Sequence, residues 1–180
     1  MEKFDIENFK KIELADEKPF KEVDLADEKA FITEDGDLIT LHEYKDSYQQ
    51  ELIRADGSIK QSKIFDKETL NLKKEGEFFY GFAIGIHKTY DENGELLEEI
   101  NHDLPYSFSL EDVRQKILAE FGKDIMDAEQ RVKVSRSTNP APHYVVIIPL
   151  TSLPKGDSRA IRLNGETGEI EADYVMKYTE

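Results

Sequence analysis

Carboxylates are the reactive groups this chain holds in quantity: 39 Asp and Glu stand against 24 Lys and Arg, with four His and no Cys. Without cysteine there is no thiol nucleophile, thiolate metal site or disulfide framework, so metal chemistry would fall to imidazoles and carboxylates. His42, His87, His102 and His143 stand apart, without the HExxH spacing that sets two imidazoles on one helix face. His102 adjoins Asp103, but neighbours on an extended chain point to opposite sides, so the pair reads as a surface loop rather than an acid–base couple. Gly81 and Gly85 are separated by aromatic and aliphatic residues and make no phosphate cradle; they read as glycines that relieve crowding within strands. Gly165-Glu166-Thr167-Gly168 reads as a turn, and no G-x-S-x-G elbow holds a serine. The expectation is a protein without catalytic residues, cofactor or metal, and not an enzyme.

What remains is the placing of the acids. Glu34, Asp35 and Asp37 cluster at one Gly turn, Asp56 sits at a second, and Asp91, Glu92, Glu95, Glu98 and Glu99 form a run around a third. The calcium loop D-x-D-x-D-G with its twelfth-position Glu is not matched. Two readings stay open, a solvated face and an electrostatic docking face for a basic protein partner. Tyr44, Tyr48, Phe79 and Tyr80 are candidate aromatic anchors beside it, although aromatics at strand spacing also build cores. Residues 1–110 carry 27 acids and 14 bases, a net of -13, whereas residues 111–180 carry 12 and 10, a net of -2. With a formal charge of -15 overall, phosphate backbones and anionic lipid are repelled, so neither nucleic acid nor a membrane surface is an expected partner.

The elements that must position these residues follow from local chemistry. Asp-Gly or Asn-Gly at 35–36, 56–57 and 93–94 predicts hairpin turns, because Gly takes positive φ and Asp or Asn bonds its own backbone. Ile39, Leu41, Tyr44, Leu52, Ile53, Ile59, Ile64 and Phe65 supply strands between them, and Phe78, Tyr80, Phe82, Ile84, Ile86 and Tyr90 alternate onto one face. Pro105 marks a break, after which Ser109 caps a helix in which Val113, Ile117, Leu118 and Phe121 repeat at helical spacing, Asp112 completing a capping box and Gly122 ending it. Tyr144 to Ile148 predicts a buried strand between Pro142 and Pro149, and Arg159 to Ile170 a closing hairpin about Asn164-Gly165. In the first segment an eleven-residue echo, Leu14 to Phe20 and Leu25 to Phe31, fits helical turns and short extended pieces equally. At 180 residues with 38% apolar content the chain can bury a core, and no run of about eighteen apolar residues spans a bilayer. The start, Met1-Glu2-Lys3-Phe4-Asp5, has no basic patch before an apolar stretch, which predicts a cytoplasmic protein.

Two stretches resemble known families. Phe79 to Leu96, with a glycine and aromatic strand leading to Tyr90 and the Asn93-Gly94 turn, resembles the variant MORN repeat, and the turns at Gly36 and Gly57 look like degenerate copies. The end of the chain, from the helix at Ser109 through the Arg159 to Ile170 hairpin, resembles a PepSY-like domain. The first resemblance implies an association with antitoxin or immunity proteins of bacteria, the second a noncatalytic module of the kind found in protease propeptides and inhibitors. The expectation is an α+β protein: an uncertain segment over 1–31, a MORN-like antiparallel hairpin meander over 32–103, and a small helix-on-antiparallel-sheet domain over 104–180. Its expected function is stoichiometric neutralisation of a bacterial toxin or effector through Glu34, Asp35, Asp37, Tyr44, Tyr48, Asp56, Tyr80, Asp91, Glu92, Glu95, Glu98 and Glu99. The alternatives are a scaffolding adaptor and, less favoured, an enzyme using dispersed carboxylates.

Overall fold

The computed structural model describes residues 2–11, 28–150 and 156–177. The echo over 14–31 lies outside the described residues except for its last four, which enter a strand. Among the described residues the structure is mostly antiparallel β, in two sheets, with helices α1 (Ile6–Lys11) and α2 (Leu110–Phe121). The larger sheet is a meander of β1 (Glu28–Ile32), β2 (Leu38–Glu43), β3 (Ser47–Ile53), β4 (Ile59–Asp66), β5 (Leu72–Phe79), β6 (Phe82–Tyr90) and β7 (Leu96–Asn101), in sequence order. The smaller holds β8 (Lys133–Ser137), β9 (His143–Pro149), β10 (Ser158–Asn164) and β11 (Ile170–Met176), ordered β11-β10-β9-β8. No helix is long and apolar enough to cross a membrane among the described residues.

The chain divides into two compact units. The first comprises Met1–Ala55, Ile59–Phe79 and Ala83–Asn101; the second comprises Asp56–Ser58, Tyr80–Phe82 and His102–Glu180. In the first, the core lies over one face of the meander, where Leu41, Tyr48, Phe65 and Leu72 from β2 to β5 meet Phe4 and Phe9. Tyr48 and Phe65 are cross-strand partners, and the Phe4 ring stacks on Tyr48 at 4.6 Å. Backbone bonds of 2.9 Å from Phe4 N to Leu70 O and 3.1 Å from Leu72 N to Glu2 O tie the N-terminal segment down. Each aromatic buried this way contributes about 1.5–3 kcal/mol, which gives the sheet one covered face.

Gly36, Gly57 and Gly94 take φ of 86°, 74° and 81°, so the Asp-Gly and Asn-Gly pairs do form turns. The alternation from Phe78 to Tyr90, in contrast, is not continuous. Tyr80 and Gly81 make a two-residue turn with φ of 46° and 99°, which ends β5 and starts β6. Gly81 therefore serves the turn rather than the interior of a strand, and Phe78 and Ile84 belong to different strands. Two positive φ values are the geometry of a type I′ hairpin, usually built from Asn or Asp with Gly.

In the second unit α2 begins as expected. Ser109 caps it, with the Ser109 hydroxyl accepting from Asp112 N and the Asp112 carboxylate accepting from Ser109 N, and Gly122 ends it at φ 65°. Val113 and Ile117 are fully buried with Tyr144, Val146, Ile161 and Leu163 of the small sheet. The turn after β10 holds the helix entry: Phe108 N donates to Gly165 O at 3.0 Å, and Tyr144 Oη donates to Phe108 O at 3.0 Å. Arg114 grips Asp124 through two bonds of 2.8 Å, and that guanidinium holds the Asp124 carboxyl below its ordinary range.

Candidate functional site

In an antiparallel meander, successive turns fall alternately at the two ends of the strands. The β1–β2, β3–β4 and β5–β6 turns therefore share one end, and the β2–β3, β4–β5 and β6–β7 turns the other. This parity sorts the residues expected to dock a partner. Glu34, Asp35 and Asp37 go to the first end; Tyr44, Asp91, Glu92 and Glu95 go to the second; Glu98 and Glu99 lie along β7, and Asp56 and Tyr80 belong to the second unit. The twelve do not share one face.

At the first end several groups are committed to local structure. In the first unit Asp37 Oδ1 accepts from Ala55 N at 2.9 Å, and in the second unit Asp56 Oδ1 accepts from Ser58 N at 3.0 Å. Glu34 and Asp35 are exposed. Tyr80, within the second unit, has its hydroxyl pKa raised by burial and then by the carboxylates of Asp127, Asp56 and Asp124. Tyr48 is a correction to the anchor set, because it is 7% exposed and stacked in the core, and Phe79 is fully buried. Tyr44 remains exposed beside His42.

The second end carries the more developed site. Here the β4–β5 and β6–β7 turns flank a cleft of about 420 Å³, lined by Asp66, Thr69, Asn71, Lys73, Tyr90, Asp91, Glu92, Asn93 and Leu97. Asn71 stitches the turns together, its Nδ2 donating to Glu92 O at 3.0 Å, while its buried Oδ1 has no hydrogen-bond partner. Asp91 folds the β6–β7 turn around itself: Oδ1 accepts from Asn93 N at 2.9 Å and Glu95 N at 2.8 Å. The Glu95 amide bond is the largest influence that holds the Asp91 carboxyl below its ordinary range. Asp66 does the same for the β4–β5 turn, accepting from Thr69 N at 2.9 Å and from the Thr69 hydroxyl at 3.0 Å, with its pKa lowered chiefly by the Thr69 amide. Tyr90 Oη donates to Glu75 Oε1 at 2.6 Å, and that bond, ahead of burial, pushes the phenol up to about 12.

Asp66 spends Oδ1 on its turn, whereas Asp91 uses Oδ1 and also Oδ2, which accepts from Asn93 Nδ2 at 3.3 Å; both keep negative charge at the cleft, with Glu92 beside them and Lys73 as the one basic residue of the lining. Lys73 approaches Asp66 only to 3.4 Å. Chemically the arrangement attracts cations or basic side chains; no group of three or more His, Cys, Asp or Glu is placed to hold a metal ion among the described residues. Asp66, Asn71, Lys73 and Leu97 were not among the residues singled out from sequence. Asp66 with Thr69 has the Asp-x-x-Thr spacing of a self-bonded turn, which is a readable signal; Asn71 has none, since its role depends on a contact 21 positions along the chain.

Compared with known proteins, no protein-family model matches this chain and no curated protein matches it.

Proposed function

We propose that this is a noncatalytic binding protein that neutralises a bacterial toxin or effector by stoichiometric occlusion of a basic active-site cleft. The carrying observation is the second end of the meander, where three carboxylates, Asp66, Asp91 and Glu92, line one cleft against the single Lys73. A field of one sign over a concave surface raises the rate of encounter with a basic partner by ~10 to 10³ and disfavours acidic competitors. The charge of -13 over residues 1–110 supports the same direction, as does the likeness of Phe79 to Leu96 to a repeat associated with antitoxin and immunity proteins. A toxin that acts on nucleic acid or a nucleotide suits this charge, because its own cleft must attract phosphate.

The test is to titrate this protein into the product of the neighbouring reading frame while following that product's activity. Loss of activity near a one-to-one ratio, weakened by added salt, supports neutralisation; undiminished turnover at several-fold excess rejects it. The division of acidic turns between two ends favours, as a second reading, an adaptor that holds two partners. Complexes that form without loss of either partner's activity select that reading.

A further inference from the structure

The seven-stranded sheet ends at β7, and all six residues of Leu96–Asn101 are exposed. Leu96, Leu97 and Ile100 are 52%, 66% and 44% exposed, and Ile86 on the neighbouring strand is 47% exposed. A strand edge with apolar side chains is a template for another strand, which proteins ordinarily blunt with lysine, proline or a covering element. Here the sequence between the apolar positions is Glu98-Glu99. Neither has an ion pair among the described residues, although Lys88 stands opposite Glu99 in the register. The outer strand β11 of the smaller sheet differs: Asp173 and Glu171 are each met by an arginine of β10, Arg159 at 2.6 Å and Arg162 at 2.9 Å. Its charge is neutralised within the sheet, whereas Glu98 and Glu99 of β7 make no such pair among the described residues.

We propose that the outer edge of β7 is a strand-addition site for an extended segment of a partner protein that reads apolar, basic, basic, apolar against Leu97, Glu98, Glu99 and Ile100. Main-chain bonds to the edge supply affinity, and side chains opposite supply selectivity. Self-pairing is disfavoured, because two antiparallel copies centred on this strand set Glu98 of one directly against Glu99 of the other. The same four-residue pattern reads alike in both directions, so it serves a parallel or an antiparallel guest. Asp91, Glu92 and Glu95 in the turn that leads into β7 extend the attraction to basic residues flanking the segment. The inference deepens the binding reading above by naming what the partner presents.

The probe is a capped hexapeptide, Thr-Val-Lys-Lys-Val-Thr, compared with Thr-Val-Glu-Glu-Val-Thr, against the full chain. Two cross-strand charge pairs turned from attraction to repulsion correspond to about tenfold in affinity, so the basic peptide binds about tenfold tighter. The Glu98→Lys/Glu99→Lys variant inverts the preference, and a Glu166→Lys/Glu169→Lys variant, of equal charge change in the turn after β10, keeps it. Binding also slows hydrogen exchange of backbone amides in 96–100, which diffuse attraction does not. Absence of any preference, preference that ignores the charge swap, or binding without protection of those amides overturns the proposal. Because the peptide assay involves no toxin, neutralisation that survives a failed peptide assay sinks the edge site alone, and edge binding without neutralisation sinks the functional reading alone.

Discussion

The Tyr90 hydroxyl is the residue through which the acid-lined end couples to stability. It donates 2.6 Å to Glu75, so ionising it loses a hydrogen bond and sets a phenolate against a carboxylate. A phenol raised from 10.0 to about 12 contributes its stability in full below pH 10 and loses it as pH climbs through about 12. Tyr144 is also pushed up to about 12, chiefly by burial, so the fall in wild-type stability across that window has at least two sources. Tyr90→Phe isolates one: the variant is less stable by about 1 kcal/mol at neutral pH, and its difference from wild type shrinks above pH 10, as followed by chemical denaturation. A difference that stays constant through that range contradicts the assignment. Gly168 gives a second test. It has φ of 73°, and a Cβ there would overlap Cε2 of Phe108, the residue that leads into α2. Gly168→Ala therefore lowers stability by about 2–3 kcal/mol, combining backbone strain with a displaced ring, whereas Gly122→Ala, with open space around it, shows the strain alone.

At the scale of elements, the turn between β5 and β6 decides where charge goes. Asp-Gly and Asn-Gly turns, and the helix from Ser109 to Gly122, are legible because each carries the side chains its backbone requires. The Tyr80-Gly81 turn is not, because an aromatic residue at φ 46° contradicts the usual preference, while the flanking Phe78, Phe82 and Ile84 continue a strand pattern. One unseen turn changes the parity of every later one, so the Asp91 turn moves from the end that holds Glu34 to the opposite end. The acidic cleft was therefore hidden from sequence, although most of its acids were visible. Short α1 was equally unreadable, since Ile6 and Phe9 define a helical face only once the core of β2 to β5 exists to receive them. The conformational argument is tested by Tyr80→Asn, which supplies the preferred Asn-Gly pair. It relieves backbone strain of about 1 kcal/mol, offset by the partly buried ring it removes, so the unfolding midpoint changes little. Gly81→Val, with a β-branched side chain at φ 99°, lowers the midpoint clearly. A midpoint that falls as far for Tyr80→Asn as for Gly81→Val shows that the ring's packing outweighs the turn.

Over the whole molecule, negative charge is concentrated in the part of the sequence that folds as the meander. Residues 28–101, which span the meander, carry 17 acids and 9 bases, a net of -8, against a net of -2 over residues 111–180, so self-repulsion lies mainly in the meander, whose β7 glutamates make no ion pair among the described residues. Repulsion between exposed charges acts across about a Debye length, roughly 10 Å at 0.1 M salt and 3 Å at 1 M, so added salt removes it without touching the cores. Such a distribution costs the isolated protein stability, and under the proposed docking a basic partner would restore it, the thermodynamic counterpart of selective binding. The expectation is unequal behaviour: raising sodium chloride slows hydrogen exchange in the strands β3 to β5 more than in β9 and β10, whose neighbourhood is near neutral. Replacing Glu92, Glu95, Glu98 and Glu99 by glutamine reproduces much of that slowing at low salt, because these side chains make no ion pairs among the described residues that the change would break. Equal slowing in both units would mean that the repulsion is spread over the whole chain, and the acid-lined end would lose its claim to a distinct electrostatic role.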